Sequence, residues 1–357
     1  MNLRKIIIVF ICLRCSAISQ AQLMTNNNVN ISVISGAQIS VKGTIQNNAG
    51  TTMANDAIID LTGDWVNNSG NNCFGTSQGT VIFNGTNQII SGSSPTVFNN
   101  LNLLNGIKSM QVNTATGGGN VTPTGILNCS NAVLDLNSKT LTVNNPNCGA
   151  VSNTTGYILS EDADNSSKVT WKIGLTPGLH TIPFGNTSAV QIPYSINVTA
   201  GNIGDVTVST YQTIANNTPY PTLPLLVTHV KNAGGTDNSA NLVDRFWQVD
   251  KTGISTADYT FTYAGTENAA NGNTNLRAQI WNNGVTGWET ALTGQTNPTS
   301  QSVTVPGVVK SGAWTLSLQS SPLPIELISF TAETKDNKKV ICNWSTASEK
   351  KNYYFTL

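Results

Sequence analysis

Residues 37–50 read AQISVKGTIQNNAG and residues 57–70 read AIIDLTGDWVNNSG, a gap-free repeat at an offset of 20 residues. Ile39 matches Ile59, Val41 matches Leu61 and Ile45 matches Trp65, while Gly43, Asn47, Asn48 and Gly50 recur as Gly63, Asn67, Asn68 and Gly70. Within each unit the apolar period is two, which is the signature of a strand. Each unit closes on Asn-Asn-x-Gly, residues that tolerate the left-handed backbone of a tight corner. A unit this short cannot bury its own apolar face, but a stack of such units buries it continuously. The repeat therefore predicts a parallel β-solenoid over residues 22–150, with Ile39 over Ile59, Val41 over Leu61 and Ile45 over Trp65, and with asparagines laddered at the corners. A β-sandwich with coincidental similarity is the alternative. AVLDL at 132–136 echoes AIIDL at 57–61 and reads as a fainter copy.

Composition agrees with an all-β chain. Of 357 residues only 10% are charged, 18 basic against 18 acidic, and 46 are Asn. Few helix formers are present. There is no basic excess for a phosphate backbone, so nucleic acid is not an expected partner. Two histidines, His180 and His229, leave little for metal or acid–base chemistry.

Residues 1–22, MNLRKIIIVFICLRCSAISQAQ, have the parts of a secretory leader: basic Arg4 and Lys5, an apolar run at 6–13, and Ser19-Gln20-Ala21 as the cleavage site. The expected mature chain starts at Gln22, outside the cell or on its surface, with a net charge of −3 (15 basic, 18 acidic). An exported chain can oxidise its thiols. Cys129 and Cys148 sit in similar Asn-Cys settings, so a disulfide between them is one expectation and two small buried hydrophobes the other.

From about residue 151 the strand signals lengthen and gain aromatics, as in VTWKI, RFWQVD and AWTLSLQ. Their number and spacing predict an antiparallel β-sandwich over 151–320. The Pro-rich segment 216–224 reads as a surface connection, and Ser321-Pro322-Leu323-Pro324 as a stiff linker. Residues 325–357 then hold nine of the 36 charges, in a three-strand pattern that ends within a strand, which reads as a fragment of a module.

The segment 323–355, LPIELISFTAETKDNKKVICNWSTASEKKNYYF, resembles one common in secreted surface proteins of gliding Gram-negative bacteria that use type IX secretion. The resemblance rests on Leu323-Pro324, Glu326-Leu327, Ser329-Phe330, Trp344, Thr346-Ala347-Ser348-Glu349 and Phe355, with weaker echoes at 79–92 and 243–253. It implies that 325–357 open a fibronectin-type-III-like module, that a C-terminal sorting domain follows, and that the type IX machinery is a partner. That family has no single activity to carry over.

Few constellations carry chemistry. Glu161, Asp162, Asp164, Ser166 and Ser167 form an oxygen-rich loop that can ligate calcium, although the usual loop glycine is missing and an acidic surface turn explains it equally. Asp60 and Asp135 occupy matching positions in AIIDL and AVLDL and are expected on one outward face, where a polysaccharide lyase would need Lys42, Lys108 or Lys139 as base. Trp171, Trp247, Trp281, Trp288 and Trp314 can stack on sugars or fill a core, and Trp281 and Trp288 are placed to meet across a hairpin. No catalytic, cofactor or metal residue is assigned. The sequence reads as a non-enzymatic, adhesin-like surface protein with extracellular glycans or other surface proteins as partners; a secreted carbohydrate-binding or polysaccharide-degrading protein is the alternative.

Overall fold

The computed structural model describes residues 22–70, 73–111, 118–232, 235–268, 275–284, 286–320, 322–323, 327–335 and 339–346. The expected leader, residues 1–21, lies outside them. The chain is all-β, 49% strand and 3% helix, and contains a parallel β-solenoid of about seven turns.

Each turn places one strand on each of three faces. The first face stacks Gln38–Val41, Ile58–Leu61, Thr80–Phe83, Asn100–Leu103, Leu127–Asn128 and Val151–Ser152. The second runs from Gln22–Asn26 and Gly43–Asn47 to Tyr157–Leu159 and Phe184–Gly185, eight strands in all. The third begins as the pair Asn30–Val33 and Thr52–Asn55, and resumes at Thr96–Phe98, Val121–Pro123, Thr140–Val143 and Lys168–Gly174. The expected register holds: Ile39 pairs with Ile59, Val41 with Leu61 and Ile45 with Trp65, all in parallel. Alternate side chains point inward, so Ile45, Ile59, Leu61 and Trp65 are fully buried.

The corners explain the repeated glycines. A Cβ on Gly43 would lie 1.7 Å from the Gln22 carbonyl oxygen, and one on Gly63 would lie 2.3 Å from the Gly43 backbone. Two rungs on, this corner is filled instead by the side chains of Gln88 and its register partner Lys108. The Gln88 amide donates to the Leu61 carbonyl at 3.2 Å and accepts from the Gly85 N–H at 2.8 Å. The Lys108 ammonium, fully buried, donates to the carbonyls of Gly85 and Asn105. Asparagine ladders form as expected. Asn26 donates to Asn47 at 3.3 Å inside the stack, and Asn131 to Asn105 (3.2 Å) and Asn105 to Asn84 (3.1 Å) outside it.

The solenoid does not stop at residue 150. Tyr157–Leu159 still pairs in parallel with Phe184–Gly185. Lys168–Gly174 is the seam: it pairs in parallel with Thr140–Val143 on one edge and antiparallel with Gly204–Gln212 on the other. Its length is set by the antiparallel partner, which is why the strand signal changes before the solenoid ends. The same sheet then continues through Arg245–Lys251, Gly312–Leu318, Leu276–Asn282 and Gly287–Trp288, nine strands in one ladder.

A four-stranded antiparallel sheet, Gly178–Ile182, Tyr194–Val198, Ala257–Thr262 and Ser302–Val308, faces this ladder. The Phe261 ring lies 5.3 Å from those of Trp247, Trp314 and Tyr194. One hydrophobic core runs without a break from Val33 to Leu316. A second, smaller core covers the other side of the ladder, with Tyr211, Phe246, Trp281 and Trp288 under Val227, Val230 and Leu323. Two expectations change here. The Pro-rich segment is part of this cover: Asn217 is buried and donates to the Val243 carbonyl at 2.9 Å, and Tyr220 packs on Phe246. Leu323 is not a free linker residue, because its side chain is buried and its N–H donates to Gln279 at 2.9 Å. Beyond it, Leu327–Lys335 and Lys339–Thr346 form an antiparallel pair; the third expected strand, at 353–357, lies outside the described residues.

Candidate functional site

The oxygen-rich loop at 161–167 resolves into a buried ionic cluster. Arg245, with no exposed side-chain surface, places a terminal nitrogen 2.6 Å from Glu161 and 2.7 Å from Glu267, while its Nε donates to Glu267 at 2.9 Å. Its other terminal nitrogen donates to Thr210 at 3.0 Å. Asn186 and the Ala264 N–H complete the shell of Glu267, at 3.2 and 3.0 Å. Burial pulls the guanidinium toward neutrality, but the two glutamates outweigh it and hold its pKa above the ordinary value. For Glu161, burial raises the pKa and Arg245 only partly offsets it. Neighbouring Asp244 is pushed up to about 6, by burial first and by the Glu267 charge second. One of its oxygens has no partner among the described residues.

The remaining loop carboxylates turn elsewhere. Asp162 accepts from the Ser138 N–H at 2.9 Å and from the Ser167 hydroxyl, and Asp164 from the Ser166 N–H at 3.0 Å. The carboxylates thus diverge toward separate protein donors, and among the described residues no group of three His, Cys, Asp or Glu side chains is placed to hold a metal. Arg245 and Glu267 were not singled out from the sequence. The signal was present: in RFWQV, period-two alternation puts Arg245 on the same inward face as Trp247 and Val249, an unusual place for a charge.

Asp60 and Asp135 do not share a face. Asp60 stands on the first face beside Ile82, whereas Asp135 stands on the second between Ser109 and Leu159. AVLDL copies the pattern of AIIDL but is displaced by one side of the triangle. Burial raises both carboxyl pKa values. The proposed bases are equally scattered: Lys42 is exposed, Lys139 half-buried, and Lys108 is the corner plug, lowered to about 8 by burial.

Cys129 and Cys148 are not bridged. Cys129 follows the first-face strand Leu127–Asn128, at one corner, and is fully buried, with its thiol pushed up to about 12. Cys148 opens the short 3-10 turn Cys148–Ala150 at a different corner, with Sγ 3.4 Å from the Pro177 carbonyl and 3.7 Å from His180 Nε2. The similar Asn-Cys settings hid two positions on opposite turns of the triangle.

Trp171, Trp247, Trp281, Trp288 and Trp314 are all at most 1% exposed, so none offers an open face to a sugar. Trp281 and Trp288 do meet across their hairpin, with ring centroids 5.4 Å apart.

One cleft breaks the wall of the solenoid. Between Thr52–Asn55 and Thr96–Phe98 the third face should carry a strand, but residues 73–78 form turns there. Phe74 turns inward and stacks on Trp65 at 5.1 Å. The turn still satisfies the preceding strand: the Cys73 carbonyl accepts from Met53 N–H at 2.6 Å and the Ser77 hydroxyl from Asn55 N–H at 2.7 Å. It leaves Thr96–Phe98 as a sheet edge. The resulting cleft has a volume of about 240 Å³, with Thr76 and Gln78 on one wall, Val97 and Asn99 on the other, and Thr124 at its end. No sequence pattern marked it, because it arises from a strand that is missing.

No protein-family model, curated protein or solved structure matches this chain.

Proposed function

We propose that this chain is a secreted, surface-displayed structural protein of adhesin-like kind, without catalytic activity. The observation that carries the reading is the unbroken nine-stranded ladder and single core joining the solenoid to the antiparallel region. Such a construction gives a rigid rod that holds one end at a fixed distance and orientation from the other. The use of charge supports it. Arg245, Glu161, Glu267 and Lys108 are all committed to structural contacts.

In this reading the antiparallel region, with Phe261 of one sheet against Trp247 and Trp314 of the other, is a β-sandwich. The strand pair after Leu323 opens a fibronectin-type-III-like module. The leader at 1–21 directs export, and the resemblance at 323–355 assigns it to the type IX route, with that machinery as a partner and the outer cell surface as destination. Extracellular glycans or other surface proteins are the expected partners.

The test is adhesion. Beads coated with the full chain should be retained under flow on glycan- or matrix-coated surfaces more strongly than beads carrying an inert protein. Equal retention on every surface overturns the adhesive reading, and release of reducing ends or unsaturated sugars from a polysaccharide panel overturns the non-catalytic one. A carbohydrate-binding reading is the second, and the uncharged cleft in the solenoid wall favours it.

A further inference from the structure

We propose that the cleft between the turn at 73–78 and the strand Thr96–Phe98 is a binding site for one ring of an uncharged saccharide. The proposal deepens the adhesive reading and rests on it for the class of ligand.

The site is built from an open backbone edge. In a parallel ladder, alternate residues bond to alternate neighbours. The Thr96 N–H donates to the Asn120 carbonyl and the Phe98 carbonyl accepts from the Thr124 N–H, both at 2.9 Å, toward the next rung. Val97, between them, therefore directs its N–H and carbonyl the other way, into the cleft. That supplies one fixed donor and one fixed acceptor, which is what a pair of sugar hydroxyls can engage.

The walls fit the same ligand. Every residue lining the cleft is uncharged. Their amides are loosely committed: Asn99 reaches Gln78 at 3.5 Å and Thr124 at 3.4 Å, both at the long limit of a hydrogen bond and free to exchange for ligand hydroxyls. Phe74 and Phe98 supply an apolar floor, buried to 5% and 0% exposure, for the C–H side of a ring. A volume of about 240 Å³ admits a single pyranose and little more.

An extended peptide is the poorer fit. Strand addition needs a run of alternate residues with free edges. Here only Val97 has one, because the preceding Pro95 has no N–H and its carbonyl already accepts from Asn67 at 2.8 Å.

The experiment titrates neutral hexoses and N-acetylhexosamines, one at a time, into the full chain labelled with ¹⁵N at valine. The expected result is a saturable shift of the Val97 amide with a low-millimolar Kd, the range for one sugar ring at ordinary ligand efficiency. The double variant Gln78→Ala/Asn99→Ala should weaken it about tenfold while leaving the other valine amides in place. Absence of a saturable Val97 shift with every sugar up to about 100 mM overturns the proposal. So does tighter binding of an uncharged extended peptide than of any sugar. If beads carrying the double variant adhere as well as the parent and Val97 stays silent, the cleft falls and the adhesive reading stands. If Val97 responds to free sugar but coated beads are retained nowhere, the adhesive reading falls and the cleft stands.

Discussion

The solenoid and the antiparallel region solve the same problem, pairing buried polar groups, by opposite means. In the solenoid every rung has a near-copy above and below it. Short amides therefore reach their partners about one rung away in sequence: Asn26 to Asn47 and Asn105 to Asn84 span 21 residues each. Seven charged residues suffice for 22–160, and among the described residues none of them forms an ion pair. The antiparallel region has no such translation symmetry. It must tie distant segments together, and Arg245 reaches Glu161 across 84 residues. A planar guanidinium with five donors can hold several segments at once, which no asparagine can. Local repetition thus makes charge unnecessary, and its loss makes charge the cheapest long-range fastener.

The largest test of this contrast is Leu61→Asp. Leu61 is stacked between Val41 and Phe83 and fully buried. A carboxylate there should cost about 4 kcal/mol or more and unfold the stack. Because one core spans both regions, tryptophan fluorescence from the antiparallel part should be lost in the same denaturation step. A surviving second step would show that the regions are separable.

Next in size is Arg245→Met. It strands Glu161 and Glu267 in a buried site, at an expected 3–5 kcal/mol. Adding Glu161→Leu and Glu267→Leu should recover most of that loss, because the cost lies in unpaired charge rather than in a missing attraction. Urea denaturation of the single and triple variants decides it.

Gly63→Ala sharpens the solenoid side. The new methyl would meet the Gly43 backbone at 2.3 Å, so a loss of about 2–3 kcal/mol is expected. Gly149→Ala, where nothing lies within 4 Å, should stay within about 0.5 kcal/mol of the parent by thermal melting.

Asp244→Asn is smaller and depends on pH. The carboxyl pKa rises from 3.8 to about 6 on folding, so the folded chain holds that proton more tightly than the unfolded one. The stability it contributes is present below pH 3.8 and lost as pH rises through 6. The asparagine variant should match the parent near pH 4 and exceed it by about 1–2 kcal/mol at pH 7, measured by denaturation at both. Smallest of all, Asn131→Ala removes only the end of an exposed ladder, and its melting point should reflect less than about 0.5 kcal/mol.

How much of this was legible depended on repetition. Two gap-free copies fixed Ile39 over Ile59 and Ile45 over Trp65, because only one register aligns both glycines and both Asn pairs. Later rungs vary: the first-face partners Ile59 and Val81 are 22 residues apart, Leu101 and Leu127 26. A five-residue alternation such as AVLDL fits any of three faces, so Asp135 was assigned to the wrong one. The same variation separated Cys129 from Cys148. The solenoid's end was misplaced because Lys168–Gly174 belongs to both pairings at once. Arg245, Glu267 and the cleft at Val97 depend on contacts between distant segments, which no local period encodes.

The glycine corners at Gly43 and Gly63 also set a mechanical unit. Each closes a turn of 20 residues whose hydrogen bonds lie along the stack rather than across it. Tension applied at the first rung therefore meets one short ladder at a time, and its rupture frees roughly 70 Å of slack chain before the next ladder is loaded. Such a rod yields in uniform steps and dissipates work at each one, whereas the ladder beyond Lys168–Gly174, crossed by Arg245 and closed on itself, carries load as a block. The molecule is a shock absorber fixed to an anchor.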